Sequence, residues 1–172
     1  MHLHKLMLFL LLLFHSSFAQ NANAIFVNQD GDSIGTALFL QTDSGVRIIV
    51  ELSNLSPGTY ALHIHQRAKC QNPQFETAGE HFNPYNKKHG FLNSEGPHAG
   101  DLPNIQVSSD GRVKDTIITN LITLRKGDEN SLLGKEGTSI IVHSSADDYF
   151  SQPSGGSGER IACGVIKEQR SK

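Results

Sequence analysis

The stretch that decides the fold is "VRIIVELSNLSPGTYALHIH", residues 46–65. Apolar residues at 48, 50 and 52 alternate with Arg47, Ile49 and Glu51, a period of two that is typical of a β-strand. The Ser-Pro-Gly at 56–58 then predicts a turn into a second strand that ends at His65. Side chains two apart on a strand project from the same face, so His63 and His65 are expected to point the same way.

Short β-rich runs separated by turn residues continue on both sides of this stretch, from "AIFV" near the start to "RIACGVI" near the end. No stretch shows a sustained helical period with caps, so we expect at most a turn or two of helix. About eight such runs predict an all-β, antiparallel fold of eight strands, either a Greek-key barrel or a sandwich. Two connections, 66–100 and 144–159, are too long for turns, and long loops in a compact domain usually carry function.

The N-terminal segment has the pattern of a secretory signal peptide. Lys5 precedes an apolar run from Leu6 to Phe14, and small residues lead to a cleavage site after Ala19, with Ala24 as a second possible site. The run is shorter than the roughly 20 residues that span a bilayer, which disfavours an uncleaved anchor. We therefore predict that residues 20–172 form a single secreted domain, periplasmic or extracellular.

The charge of the chain argues against two classes of partner. Its formal net charge is −2 at pH 7, and no polybasic run is present. We therefore expect neither a nucleic-acid partner nor stable membrane insertion. The oligomeric state, monomer or dimer, stays open.

Only two cysteines occur, Cys70 and Cys163. A secreted chain meets an oxidising compartment, so we expect a disulfide between them, with two buried free thiols as the alternative. Their separation of 93 positions (163 minus 70) corresponds to about 4 to 5 kcal/mol in the chain-entropy model of disulfide stabilisation.

Six histidines remain once the signal peptide is set aside, and three of them lie in the first long loop with an aspartate. His81, His89, His98 and Asp101 are spaced by eight, nine and three residues. Three imidazoles and one carboxylate make a closed tetrahedral donor set of the kind that zinc prefers. The alternative is a polar loop whose histidines are merely exposed.

The other three histidines are expected on strands. His63 and His65 share a face, and His143 ends the run "SIIVH". Three imidazoles leave an open coordination position, and their nitrogen donors suit copper as well as zinc. Each histidine alone could be structural, but a buried histidine without a partner costs stability.

Five segments together resemble the copper/zinc superoxide dismutase family, closest in wording to its secreted bacterial members. They are "HIHQRAKC", "GEHFNPYNKKHG", "GPHAGDLPNI", "IIVHSSADD" and "ERIACGVI", in the family's order and across residues 24–166. Any one of them is a weak signal, whereas five in order are specific.

The resemblance implies particular roles for the residues. One copper ion per chain would be bound by His63, His65, His81 and His143, and one zinc ion by His81, His89, His98 and Asp101. His81 would bridge both metals and carry a proton during catalysis. Asp147 would link a zinc histidine to a copper histidine, Cys70 and Cys163 would form the family disulfide, and Arg160 would attract the superoxide anion. Several positions depart from the family pattern, among them Glu80, which stands directly before His81, where a small or neutral residue is expected.

The implied activity is conversion of two superoxide anions and two protons to dioxygen and hydrogen peroxide. Two other hypotheses stay open on the sequence alone. One is a non-catalytic, copper-holding protein of the same fold, and the other is a zinc hydrolase that uses an open three-histidine site.

Overall fold

A computed structural model describes residues 20–169 of the chain. In this part the only helical element is one 3-10 turn, Glu76–Ala78, and the rest of the regular structure is β. The strands are β1 (Asn21–Asn28), β2 (Ser33–Thr42), β3 (Gly45–Leu52), β4 (Gly58–Tyr60), β5 (Leu62–His65), β6 (Ile105–Val107), β7 (Val113–Thr119), β8 (Ser139–His143), β9 (Arg160–Val165) and β10 (Lys167–Gln169). The predicted all-β, antiparallel fold class is confirmed.

Seven strands form a curled sheet in the order β5-β8-β9-β1-β2-β3-β7, and β10 also pairs with β1. All pairings between these strands are antiparallel. The order requires crossovers from β3 to β4 and from β7 to β8, as in a Greek key.

A short β4-β6 pair joins the two ends of the curled sheet. Ala61 alone separates β4 from β5, and a turn links β6 to β7, in which the Ser108 N–H donates to the Arg112 carbonyl at 2.9 Å. The predicted single strand "TYALHIH" is therefore split into β4 and β5. This split lets one run of residues pair with β6 through its first half and with β8 through its second.

The enclosed core explains the alternating pattern. Side chains from the inner face of the curled sheet meet inside it, and the largest fully buried ones include Phe26, Phe39, Ile48, Leu62 and Ile64. Burial of such side chains supplies most of the stability of a small β domain.

A third long connection, residues 120–138, was not predicted as a loop. "NLITL" reads as a continuation of β7, but β7 ends at Thr119. Ile122, Leu124 and Leu132 are fully or almost fully buried in the main core. Burial of the loop's apolar side chains, rather than strand pairing, accounts for the apolar pattern of this segment.

The two predicted long connections are observed at 66–104 and 144–159. The predicted signal peptide, residues 1–19, lies outside the described residues. Within residues 20–169, no helix is long and apolar enough to cross a membrane.

Candidate metal centre

The outer face of β5 carries His63 and His65, the two histidines at the end of the stretch 46–65. Leu62 and Ile64 point into the core, so His63 and His65 lie on the opposite face. Both histidines are nevertheless buried, because the long loops cover this face. The prediction that they share one face is thus met in the structure.

The first long loop is fixed to the free edge of β5. The Ile64 N–H donates to the Gly100 carbonyl, and the Phe82 N–H donates to the Ile64 carbonyl, both at 2.8 Å. These bonds place His81 opposite His65 and Asp101 opposite His63. Loop residues far apart in sequence thereby reach the strand-borne histidines.

Four imidazoles converge at the first candidate metal position: His63, His65, His81 and His143. Nε2 of His65 lies 3.4 Å from Nε2 of His143. Two further buried ring nitrogens, Nδ1 of His63 and Nε2 of His81, have no hydrogen-bond partner within residues 20–169. Buried nitrogens are rarely left unpaired, and a copper ion bound by neutral imidazoles would satisfy both.

A second set of four donors lies beside the first: His81, His89, His98 and Asp101. Oδ1 of Asp101 lies 2.9 Å from Nδ1 of His81, 3.1 Å from Nδ1 of His89 and 3.2 Å from Nδ1 of His98. Ligand atoms about 2.0 Å from a tetrahedral zinc ion are about 3.3 Å apart, so these separations fit zinc. The other carboxylate oxygen accepts the N–H groups of Gly90 and His98, both at 2.9 Å, which fixes its orientation.

His81 belongs to both sets through its two ring nitrogens. Its Nδ1 faces Asp101, and its Nε2 is the unpaired nitrogen on the copper side. The sequence-based argument from residue types separated the histidines into two groups and did not reveal this sharing, which only the resemblance implied.

Asp147 links the two sets, because it contacts one histidine of each, His63 and His89. Its Oδ2 accepts a hydrogen bond from Nε2 of His63 and its Oδ1 one from Nε2 of His89, both at 2.9 Å. A carboxylate of this kind fixes the ring orientation and tautomer of metal ligands. Gly155 lies against it at φ +67°, and a Cβ there would overlap the carboxylate.

Arg160 starts β9 directly opposite His143 on β8. Its Nη1 donates to the Phe75 carbonyl at 2.9 Å and its Nη2 to the Gly79 carbonyl at 2.8 Å. Nδ1 of His65 donates to the same Gly79 carbonyl at 2.8 Å. One backbone oxygen thereby sets the position of the guanidinium relative to a candidate copper ligand.

The disulfide predicted between Cys70 and Cys163 is confirmed, with a Cα–Cα distance of 5.6 Å. Cys163 lies opposite Ile141 on the face of β9 that carries the site. Phe75, Ala78, Ile141 and Cys163 form a second apolar cluster under the loop. The disulfide and this cluster hold the segment that presents the Phe75 and Gly79 carbonyls to Arg160.

Burial keeps the copper-side imidazoles neutral. Burial and then the neighbouring His63 and His81 rings lower the pKa of His143 to about 2. Burial also lowers the pKa of His81 to about 4, although its hydrogen bond to Asp101 opposes this. Metal ions bind the deprotonated ring, so these side chains are ready to bind a metal at neutral pH.

The zinc-side carboxylate keeps its negative charge. Burial acts to raise the pKa of Asp101, but hydrogen bonds from His81, His89 and His98 hold it well below its usual range. Burial likewise opposes protonation of His89, yet its bonds to Asp101 and Asp147 raise the pKa of this imidazole to about 9. In the metal-free protein, the two carboxylates on either side of His89 therefore favour the charged form of its ring.

We expect the metal-free protein to lose stability as the pH falls from about 6.5 to about 4. The pKa values of His81 and His143, about 4 and 2, lie below the unfolded value of 6.5, so the unfolded chain binds more protons in this range. The contribution of His89, whose pKa is raised, is already fully present below pH 6.5 and stays constant. Urea unfolding midpoints of metal-stripped protein at pH 7 and pH 5 measure the effect. An equal or higher midpoint at pH 5 would contradict it.

Three contributors to the site were missed by the sequence analysis: the Gly79 carbonyl, Asn104 and Tyr149. Asn104 donates from Nδ2 to the Asp147 carbonyl at 2.9 Å and accepts the Asp147 N–H at 2.8 Å. The only signal in the sequence is the position of these residues next to the ligand motifs, in "GDLPNI" and "SSADDYF".

Two adjacent donor sets that share one histidine lie on a curled antiparallel β-sheet, and each set could hold a metal ion. A family model described as copper/zinc superoxide dismutase (SODC) matches residues 33–166. The chain belongs to the copper/zinc superoxide dismutase family. The family predicted from the five motifs is thus confirmed, together with its class as an oxidoreductase.

Individual relatives agree with this assignment. The chain is 50% identical over 158 residues to "Superoxide dismutase [Cu-Zn] 1" of Aquifex aeolicus, covering 90% of this chain and 94% of the relative. It is similar to the crystal structure of a SOD-like protein from Bacillus subtilis, with a TM-score of 0.81, 41% identity, and coverage of 83% of this chain and 96% of that one. The Cu/Zn superoxide dismutase from Brucella abortus matches with a TM-score of 0.70 and 28% identity, covering 86% and 99%.

Proposed function

We propose that this chain is an active superoxide dismutase that binds one copper and one zinc ion. The observation that carries the proposal is the pair of unpaired buried nitrogens, Nδ1 of His63 and Nε2 of His81. Together with Nε2 of His65 and His143, they form an all-imidazole set for copper. The donor distances around Asp101 support zinc as the second metal.

Copper, when bound, supplies the one-electron redox change that each half of the reaction needs, and zinc has no such chemistry. One superoxide gives up an electron and leaves as dioxygen. A second accepts an electron and two protons and leaves as hydrogen peroxide. Atoms and charge balance over the two halves.

Arg160 binds and orients the anionic substrate. Burial lowers the pKa of its guanidinium, while the charges of Glu80 and Glu76 raise it. Arginine nonetheless keeps its charge at any working pH and offers paired N–H donors to an anion. The two backbone carbonyls of Phe75 and Gly79 hold the guanidinium in place.

His81 moves one of the two protons. Its Nδ1 is directed at the zinc-side donors, which leaves Nε2 as the atom that can gain and release a proton on the copper side. A ring nitrogen within reach of the reduced oxygen species would act as a general acid in the second half of the reaction.

The proposal includes export of the chain to the periplasm or the cell exterior. A disulfide is expected of a protein that folds in an oxidising compartment. Because β1 begins at Asn21 and buries Ala22, cleavage after Ala19 leaves this strand whole. Cleavage after Ala24 would remove half of it, so we favour the earlier site.

A histidine variant tests the copper assignment. We expect His143→Ala, loaded with both metals, to lose most of its copper and its superoxide consumption while it keeps about one zinc per chain, because His143 belongs only to the copper set. Metal analysis and electron paramagnetic resonance of Cu(II) measure this. Loss of zinc with copper retained, or unchanged copper, would contradict the assignment. A protein with both metals but no activity would instead be a copper-holding member of the family.

A further inference from the structure

Tyr149 has an unusual position beside the metal centre. It follows Asp147 by two residues and has a φ of 62°, a left-handed conformation that non-glycine residues seldom adopt. Such a conformation persists only where the surroundings hold it. Tyr149 makes hydrogen bonds through its N–H, its carbonyl and its hydroxyl, and each reaches a different part of the site.

Two of these bonds hold Asp147, one directly at its carboxylate and one through Asn104. The Tyr149 N–H donates to Oδ1 of Asp147 at 2.7 Å, the same oxygen that accepts from His89. The Tyr149 hydroxyl accepts the Asn104 N–H at 2.7 Å. Since Asn104 is bonded twice to the backbone of Asp147, these residues form a closed ring of hydrogen bonds.

The third bond reaches the loop that follows His89. The Tyr149 carbonyl accepts the Leu92 N–H at 3.0 Å, and its ring meets the Phe91 ring edge-on, with centroids 5.6 Å apart. Gly90 allows this approach, because a Cβ there would overlap the Tyr149 carbonyl. Tyr149 therefore joins the segment of His89 to that of Asp147, and through Asn104 it also reaches the segment that begins at Asp101.

We propose that Tyr149 is a positioning residue for zinc, which acts through Asp147 and His89. This inference rests on the proposed zinc site and deepens it. Removal of the hydroxyl leaves the Asn104 N–H without its partner and releases one side of the ring of hydrogen bonds. Asp147 then holds Nε2 of His89 less firmly, and Nδ1 of His89 is less well directed towards zinc.

The test compares Tyr149→Phe with the wild type and with Tyr85→Phe, a control at an exposed tyrosine of the first long loop, 66–104. The zinc Kd of the copper-loaded protein is measured by competition with a chromogenic chelator. We expect Tyr149→Phe to bind zinc about tenfold more weakly, at the low end of the effect of residues that orient metal ligands. Tyr85→Phe should match the wild type.

A second readout separates positioning from general stability. Unfolding midpoints are measured for the metal-free and the zinc-loaded forms of each protein. A positioning role reduces the increase in midpoint that zinc produces. An unchanged zinc Kd, or a lower midpoint in both forms with the same zinc increment, would overturn the inference while the proposed function stands. Failure of the wild type to bind zinc would instead overturn the zinc site itself, and the inference with it.

Discussion

Replacement of Arg160 by alanine is expected to slow superoxide consumption by about one to two orders of magnitude, within the range of electrostatic effects on association. The metals should stay bound, because among residues 20–169 the guanidinium bonds to the carbonyls of Phe75 and Gly79 and to none of the donor atoms. Without the guanidinium, the negative charges of the exposed Glu80 and Glu76, which interact with it, are no longer balanced by Arg160. Rates per bound copper, with metal content determined on the same samples, measure the effect.

Arg47→Ala supplies the matched control, since Arg47 is an exposed arginine on β3. It should keep the wild-type rate. The wild-type rate should also fall as ionic strength rises, because salt screens the attraction, and this dependence should be weaker in Arg160→Ala. An unchanged rate in Arg160→Ala with both metals retained would show that this residue does not bind the substrate.

Loss of the disulfide is expected to give the largest change in stability. For the Cys70→Ser, Cys163→Ser double variant, the free energy of unfolding should fall by about 4 to 5 kcal/mol in the chain-entropy model for a loop of 93 residues. Urea unfolding of the metal-free variant and wild type measures it. The segment that positions Arg160 should also loosen, so the rate per copper should fall.

The reduced wild-type protein is the natural comparison for this variant, and both should unfold at similar urea concentrations. A change in the free energy of unfolding below about 1 kcal/mol would show that the apolar cluster around Phe75 and Ile141 holds the loop without the covalent bond.

The strands and the face of each histidine could be predicted from local patterns, because a period of two reports directly which side chains share a face. Closure of the barrel could not be predicted in this way. It depends on the interruption of the strand at Ala61 and on the pairing of β4 with β6, which are far apart in the sequence. The loop 120–138 was missed for a related reason. Apolar residues that fill the end of a core and residues of a strand give the same local pattern.

The candidate ligands could be chosen from the sequence because metals need particular side-chain types, and those types are visible there. The residues that position them were not predicted. Gly79 acts through its backbone carbonyl, which every residue has, and Tyr149 and Asn104 act through contacts between loops far apart in sequence. The resemblance supplied the sharing of His81 and the role of Asp147. In the structure, His81 belongs to both donor sets, and Asp147 contacts one histidine of each.

The most direct test of the central claim is the decay of superoxide at neutral pH in the presence of the oxidised protein, after removal of residues 1–19 and loading with copper and zinc. Metal analysis of the same sample should give about one copper and one zinc per chain, as the two donor sets around His81 require. We predict catalytic decay, with many superoxide anions consumed per copper and with hydrogen peroxide and dioxygen formed in equal amounts. Full occupancy by both metals without catalytic decay would contradict the account.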